Sequence, residues 1–151
     1  MENLSLDIET YSSEDLAKAG VYRYAESPDF TVLLIGYSFD DGPVTVLDLA
    51  SGAAVPPDLP EALLSPSVEK RAFNAAFERI CLSRLLRDMR YLAEGEFLPP
   101  AAWRCTMVHC AAMGLPMPAM ISVMLHLYQG PMMSYSHAPI LVLARASLFC
   151  P

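Results

Sequence analysis

Asn3-Leu4-Ser5-Leu6-Asp7-Ile8-Glu9-Thr10 is the stretch on which the reading of this chain turns. Its first residues, 3–9, read as a strand. In a strand, residues two apart point to the same face. Leu6 and Ile8 are then expected to face a core, with Asp7 and Glu9 projecting together on the other side. Two like charges held side by side repel, which raises one pKa or demands a cation. A divalent metal is the usual reason to build such a pair, and an ordinary solvated strand face is the plainer alternative.

Further strands and helices lie outward from this stretch. Residues 31–39 form a β-rich run long enough for a central strand. Asp40-Asp41-Gly42 is a turn signal, and residues 43–49 follow as a third strand, so 31–49 predicts a hairpin. A Pro- and Gly-rich loop leads to a short helix over 58–64, ended by Ser65-Pro66. Residues 68–73 predict a fourth strand. Asn74 suits the N-cap of a helix over 75–90, where Phe77, Cys81, Leu82, Leu85 and Leu86 fall on one stripe. A fifth strand over 103–106 leads into a helix through Ala112. Strands first, then alternating helices and strands, predict an α+β (α/β) domain with a mixed sheet and flanking helices.

The charge is unevenly spread. The chain has 151 residues and a net charge of −7, yet all 17 Asp and Glu lie at or before Glu96. One domain with a proper core is expected at this length. A negative balance argues against a free-standing, tight nucleic-acid binder, but not against an enzyme that meets nucleic acid through metal ions. Between Cys105 and Ala144 there is no charged residue except His, and seven of the nine Met fall between Met107 and Met133. Residues 1–116 are therefore expected to form the domain. Residues 117–151 are read as an atypical acid-free tail, out of frame or poorly ordered, with a helix over 119–128. Prolines interrupt the tail into apolar pieces shorter than the ~20 residues a membrane span needs, so no membrane partner is expected. Met1 is followed at once by acidic and polar residues rather than a secretory signal, which predicts a cytoplasmic chain with reduced cysteines. Cys105, His109 and Cys110 lack a second ligand pair with zinc spacing.

A second informative segment is Phe73-Asn74-Ala75-Ala76-Phe77-Glu78-Arg79. Asn74 and Glu78 are four apart and share a helical face near its first turn. The helix N-terminus is expected to keep Glu78 ionised. A third carboxylate aimed at the Asp7 and Glu9 face gives a hard, oxygen-lined site suited to Mg²⁺ or Mn²⁺. Arg79, Arg84, Arg87 and Arg90 read as a solvated helix face, with phosphate contact as the alternative. Tyr22, Arg23 and Tyr24 read as loop packing, or as a surface that tracks a single strand by stacking.

Asp7-Ile8-Glu9-Thr10 followed by Asn74 through Glu78 resembles the first two motifs of the DEDD 3′–5′ exonucleases. Residues 7–13, 20–25, 46–50, 73–83 and 103–106 are similar, more closely, to the exonuclease region of phage-type family A DNA polymerases. The resemblance covers roughly residues 3–118. It implies a ribonuclease-H-like fold, incomplete at the C-terminus. It implies that Asp7 bridges two metal ions, Glu9 binds the ion that activates water, and Glu78 holds the second ion. It also implies that Thr10, Asn74 and Phe77 seat the single-stranded 3′ end of DNA. Most relatives carry Asp where this chain has Glu78, whose side chain reaches one methylene further. The family pattern also needs a fourth carboxylate four or five residues after a Tyr or His, and no acid follows Glu96. The expectation is a truncated or frame-shifted remnant of such a polymerase, separated from its polymerase domain or a partner chain and with little activity alone. The alternative is a non-catalytic nucleic-acid- or protein-binding module of the same fold.

Overall fold

The computed structural model describes residues 1–114. The expected tail over 117–151, its helix over 119–128 and the boundary at 116 lie outside the described residues. Five strands form one mixed sheet in the order β3-β2-β1-β4-β5. They are β1 (Asn3–Tyr11), β2 (Thr31–Phe39), β3 (Thr45–Asp48), β4 (Glu69–Ala72) and β5 (Trp103–Cys105). β1 runs antiparallel to β2 and parallel to β4; β2 and β3 are antiparallel, β4 and β5 parallel. The acid-bearing strand is thus the centre of the sheet, and its alternation is as expected: Leu4, Leu6 and Ile8 are buried.

The β2–β3 hairpin closes on Asp40 and Asp41, both at positive φ (49° and 56°), with the Gly42 N–H donating to Phe39 O at 2.9 Å. Two successive left-handed residues make a turn whose twist matches that of paired strands. Asp40 also accepts the Glu2 and Asn3 N–H groups at 2.7 and 3.0 Å, which ties the turn to the start of β1.

Among the described residues four α-helices accompany the sheet: α1 (Leu16–Ala25), α2 (Asp58–Leu64), α3 (Ala75–Asp88) and α4 (Thr106–Ala112). α2 lies where the proline signals place it, and α4 follows β5 and ends at Ala112 as expected, starting at Thr106, which was expected to end the strand. α1 was not expected; it carries Tyr22, Arg23 and Tyr24, so these residues are helical rather than part of a loop. Gly20, at φ 74° and ψ 163°, breaks α1 in its middle, and this break hides the helical period. Asp15 caps its start through the Ala17 N–H at 3.0 Å.

α3 ends two residues before the expected 90. The Arg90 N–H donates to Arg87 O and the Tyr91 N–H to Leu86 O, at 2.9 and 2.8 Å. That pair of bonds is the Schellman arrangement, and Arg90 sits at φ 65°, where glycine is normally found. Arg90→Gly is expected to stabilise the fold by about 0.5–1 kcal/mol, because the left-handed penalty outweighs the added freedom of the unfolded chain. Thermal unfolding checks this; a lower melting temperature counts against it.

The remaining arginines of α3 are not a solvated face. Arg79 donates to Leu98 O at 2.8 Å. Arg84 pairs with Asp88 and reaches Ala25 O at 3.2 Å. Arg87 bonds Glu26 and lies over the Phe97 ring, 4.9 Å from its centroid. These bonds fasten α3 to the end of α1 and to the segment before β5, and so engage the charges expected to be free. Among the described residues no helix is long and apolar enough to cross a membrane.

Candidate functional site

β1 presents Asp7 and Glu9 on the face opposite Leu6 and Ile8. On β2 the cross-strand partner of Asp7 is Gly36, and that of Glu9 is Leu34. The next pair is Thr10 with Val32, so Leu33 has no partner on β1. Its carbonyl instead accepts the Leu49 and Ala50 N–H groups at 2.9 and 3.1 Å. A bulge of this kind re-aims the side chains beside it, and bulges are common next to active sites.

α3 supplies the third carboxylate. Glu78 lies in its first turn and is 1 % exposed. One of its oxygens, Oε2, is buried without a hydrogen-bond partner. Burial pushes its carboxyl well above the usual range, and the charge of Asp7 adds to this; the backbone N–H groups of Glu78 and Asn74 offset only part. This works against the expectation that the helix N-terminus keeps Glu78 ionised: a terminal partial charge is weaker than near-complete loss of water. Burial raises Asp7 to about 6. Burial, with the charge of Asp7, raises Glu9 to about 7. Asp7 is thus the hub whose charge both other carboxylates feel.

Among the described residues, none of the three pairs with a Lys or Arg. Nor do any three His, Cys, Asp or Glu side chains among them stand close enough together to hold a metal ion. Glu78 is buried, while Asp7 and Glu9 stay half-buried on the sheet. The donor set is nevertheless that of a hard cation: carboxylate oxygens only, one of them buried and unpartnered.

The residues expected to seat a substrate fall around the same place. The Thr10 hydroxyl shares a 3.0 Å hydrogen bond with the Tyr24 hydroxyl. Tyr24 packs its ring against Phe77, with centroids 6.1 Å apart. Phe77 is partly buried against the core. Asn74 occupies the N-cap position of α3, but its side chain makes no cap hydrogen bond, contrary to expectation. The helix start is held instead by its carbonyl, which accepts the Phe77 and Glu78 N–H groups at 2.7 and 3.3 Å.

Two neighbours of the site were not singled out from the sequence as part of it. Tyr24 joins Thr10 to Phe77, a role that depends on α1 packing against α3. Gly36 puts no side chain beside Asp7; a glycine inside a strand run was its only signal.

No family model matches the chain. Over 116 residues it is 51% identical to a DNA polymerase of Bacillus phage SP02, a match spanning 77% of this chain and 17% of the polymerase. Among solved structures, Brucella melitensis NrnC superposes with a TM-score of 0.53 at 17% identity, over 96% of this chain and 65% of that one. NrnC with bound Mg²⁺ superposes with a TM-score of 0.54 at 16% identity, with the same coverage. The chain is therefore an α+β domain of ribonuclease-H-like fold, similar in sequence to about a sixth of the length of a phage DNA polymerase.

Proposed function

We propose that this chain forms the N-terminal part of a metal-dependent 3′–5′ exonuclease (proofreading) domain of a DNA polymerase, with little activity alone. The observation that carries the reading is the placement of Asp7 within electrostatic reach of both Glu9 on its own strand and Glu78 on α3, with no pairing cation among the described residues. Leaving buried carboxylates unpaired is costly, and the usual reason is that a ligand offsets them. Asp7, Glu9 and Glu78 do not stand as a ready three-ligand cluster, and would have to draw closer together to hold Mg²⁺ or Mn²⁺. Such ions, when bound, supply a nucleophilic water near neutral pH and offset charge on the scissile phosphate and the leaving oxygen.

The chain's own groups do the rest. The Phe77 ring and the Thr10 hydroxyl bound a seat for the terminal nucleotide of a single-stranded DNA 3′ end. Asn74 offers an amide donor and acceptor at the start of α3. Carboxyls must shed their protons before they can act as ligands, so Asp7 and Glu9 become better ligands as pH rises through 6 to 7, and the raised Glu78 carboxyl pushes the requirement upward. The chain supplies three carboxylates and has no acid after Glu96 for a fourth. A polymerase domain or partner chain is the natural source of the remaining part.

A non-catalytic binding module of the same fold is the second reading. It is favoured by the lack of a ready three-residue ligand cluster among the described residues. Incubation with 3′-ended single-stranded DNA and Mn²⁺ decides between them. Stepwise shortening from the 3′ end supports the nuclease. Binding without metal and without shortening supports the module.

A further inference from the structure

Gly36 stands in the interior of β2, paired on one side with Asp7 of β1 and on the other with Val46 of β3. Glycine there weakens a strand, by about 0.5–1 kcal/mol relative to alanine. Nothing in the backbone demands it. Its φ lies outside the left-handed region, and among the described residues a Cβ would meet only Asp7 O, at an ordinary 4.0 Å. Among the described residues, turn geometry and close packing, two common reasons for a glycine inside a strand, are both absent, and the bulge on β2 lies three residues away at Leu33. The remaining reason is the close approach of something else.

The place of that approach is set by register. Residues directly opposite on antiparallel strands share a face. The open position is therefore beside the Asp7 carboxylate, and Gly36 is only half-buried there. Glu9, the next acid on this face, faces Leu34, so the gap lies at Asp7 alone.

We propose that Gly36 is a clearance residue, keeping the sheet bare beside Asp7 so that the sugar of the substrate's terminal nucleotide can lie against it. This rests on the nuclease reading given above. An ion held by carboxylate oxygens can rearrange its waters around an added methyl group, whereas a furanose ring laid against the sheet needs the surface bare. Gly36 is thus a specificity-determining position: it admits a chain end and touches no reacting atom.

Gly36→Ala and Gly36→Val separate this role from a structural one. Four quantities are measured for each variant: melting temperature, Mn²⁺ affinity, and affinity for a linear and for a circular single strand of the same sequence. The expected result is an equal or higher melting temperature, Mn²⁺ affinity unchanged within twofold, and a loss of about tenfold in affinity for the linear strand alone. The loss should be greater for Val. A lower melting temperature for Gly36→Ala overturns the proposal, because packing then requires the glycine. Weaker Mn²⁺ binding overturns it too, because the space then serves the ion. Unchanged affinity for the linear strand overturns it while leaving the nuclease reading intact. If the unsubstituted protein does not prefer the linear strand to the circle, the nuclease reading falls, and the proposal with it.

Discussion

Asp7→Ala is expected to weaken Mn²⁺ binding at least about 100-fold and to abolish any Mn²⁺-dependent shortening of single-stranded DNA. Asp7 is the carboxylate whose charge raises both of the others. Its loss removes the hub and leaves two acids on separate elements. Metal-free folding should not suffer in proportion. With Asp7 gone, Glu9 and Glu78 lose a repulsive neighbour, and the truncated side chain leaves a half-buried position rather than a core cavity. Titration with Mn²⁺ followed by its electron paramagnetic resonance signal reads the binding, and a melting curve without metal reads the fold. Persistent Mn²⁺ binding in a folded Asp7→Ala protein would sink the proposed site.

Glu78→Gln is expected to make the metal-free protein more stable at pH 8 by about 2 kcal/mol, or roughly 5–10 °C in melting temperature. The direction follows from linkage. A carboxyl whose pKa is higher in the folded than in the unfolded state takes up a proton on folding. Its stabilising contribution is complete below the unfolded value, near 4.3, and is lost as pH rises through the folded value. Glu78 is raised well above that range. Asp7 and Glu9, at about 6 and about 7, add a loss of the same sign. Gln keeps the shape of the protonated acid without that loss. The substituted and unsubstituted proteins should therefore melt together near pH 4 and separate as pH rises to 8. Saturating Mn²⁺ should raise the melting temperature of the unsubstituted protein, by mass action on the folded state, and leave Glu78→Gln unmoved. A constant gap between the two at both pH values shows instead that the carboxyl does not titrate on folding. Greater stability with lost metal binding is the trade expected of a functional residue.

Much of the fold was legible because its elements carry strong local signals. Residues 31–39 and 58–64 form the expected strand and helix over the same bounds. The Asp40-Asp41-Gly42 turn closes the expected hairpin. α1 was not legible. Its Gly20 break divides a ten-residue run into halves too short to show a helical period. α3 runs two residues short of its expected end because Arg90 takes the left-handed position, which a sequence ordinarily marks with glycine.

The site divides in the same way. The sequence by itself determined that Asp7 and Glu9 share a face, because strand alternation is a local property. It also determined that Glu78 lies in the first turn of a helix with Asn74 at its cap position. Only the tertiary structure decided that Glu78 is buried and protonated above its usual range, since loss of water depends on what packs around it. The same holds for the arginines of α3, whose guanidinium groups are engaged by carbonyls and carboxylates brought from distant segments. It holds most of all for Gly36. A glycine in a strand is only a weak residue until register sets it opposite Asp7. Pairing between β1 and β2, a contact across nearly thirty residues of chain, is what turns it into an opening beside the acid.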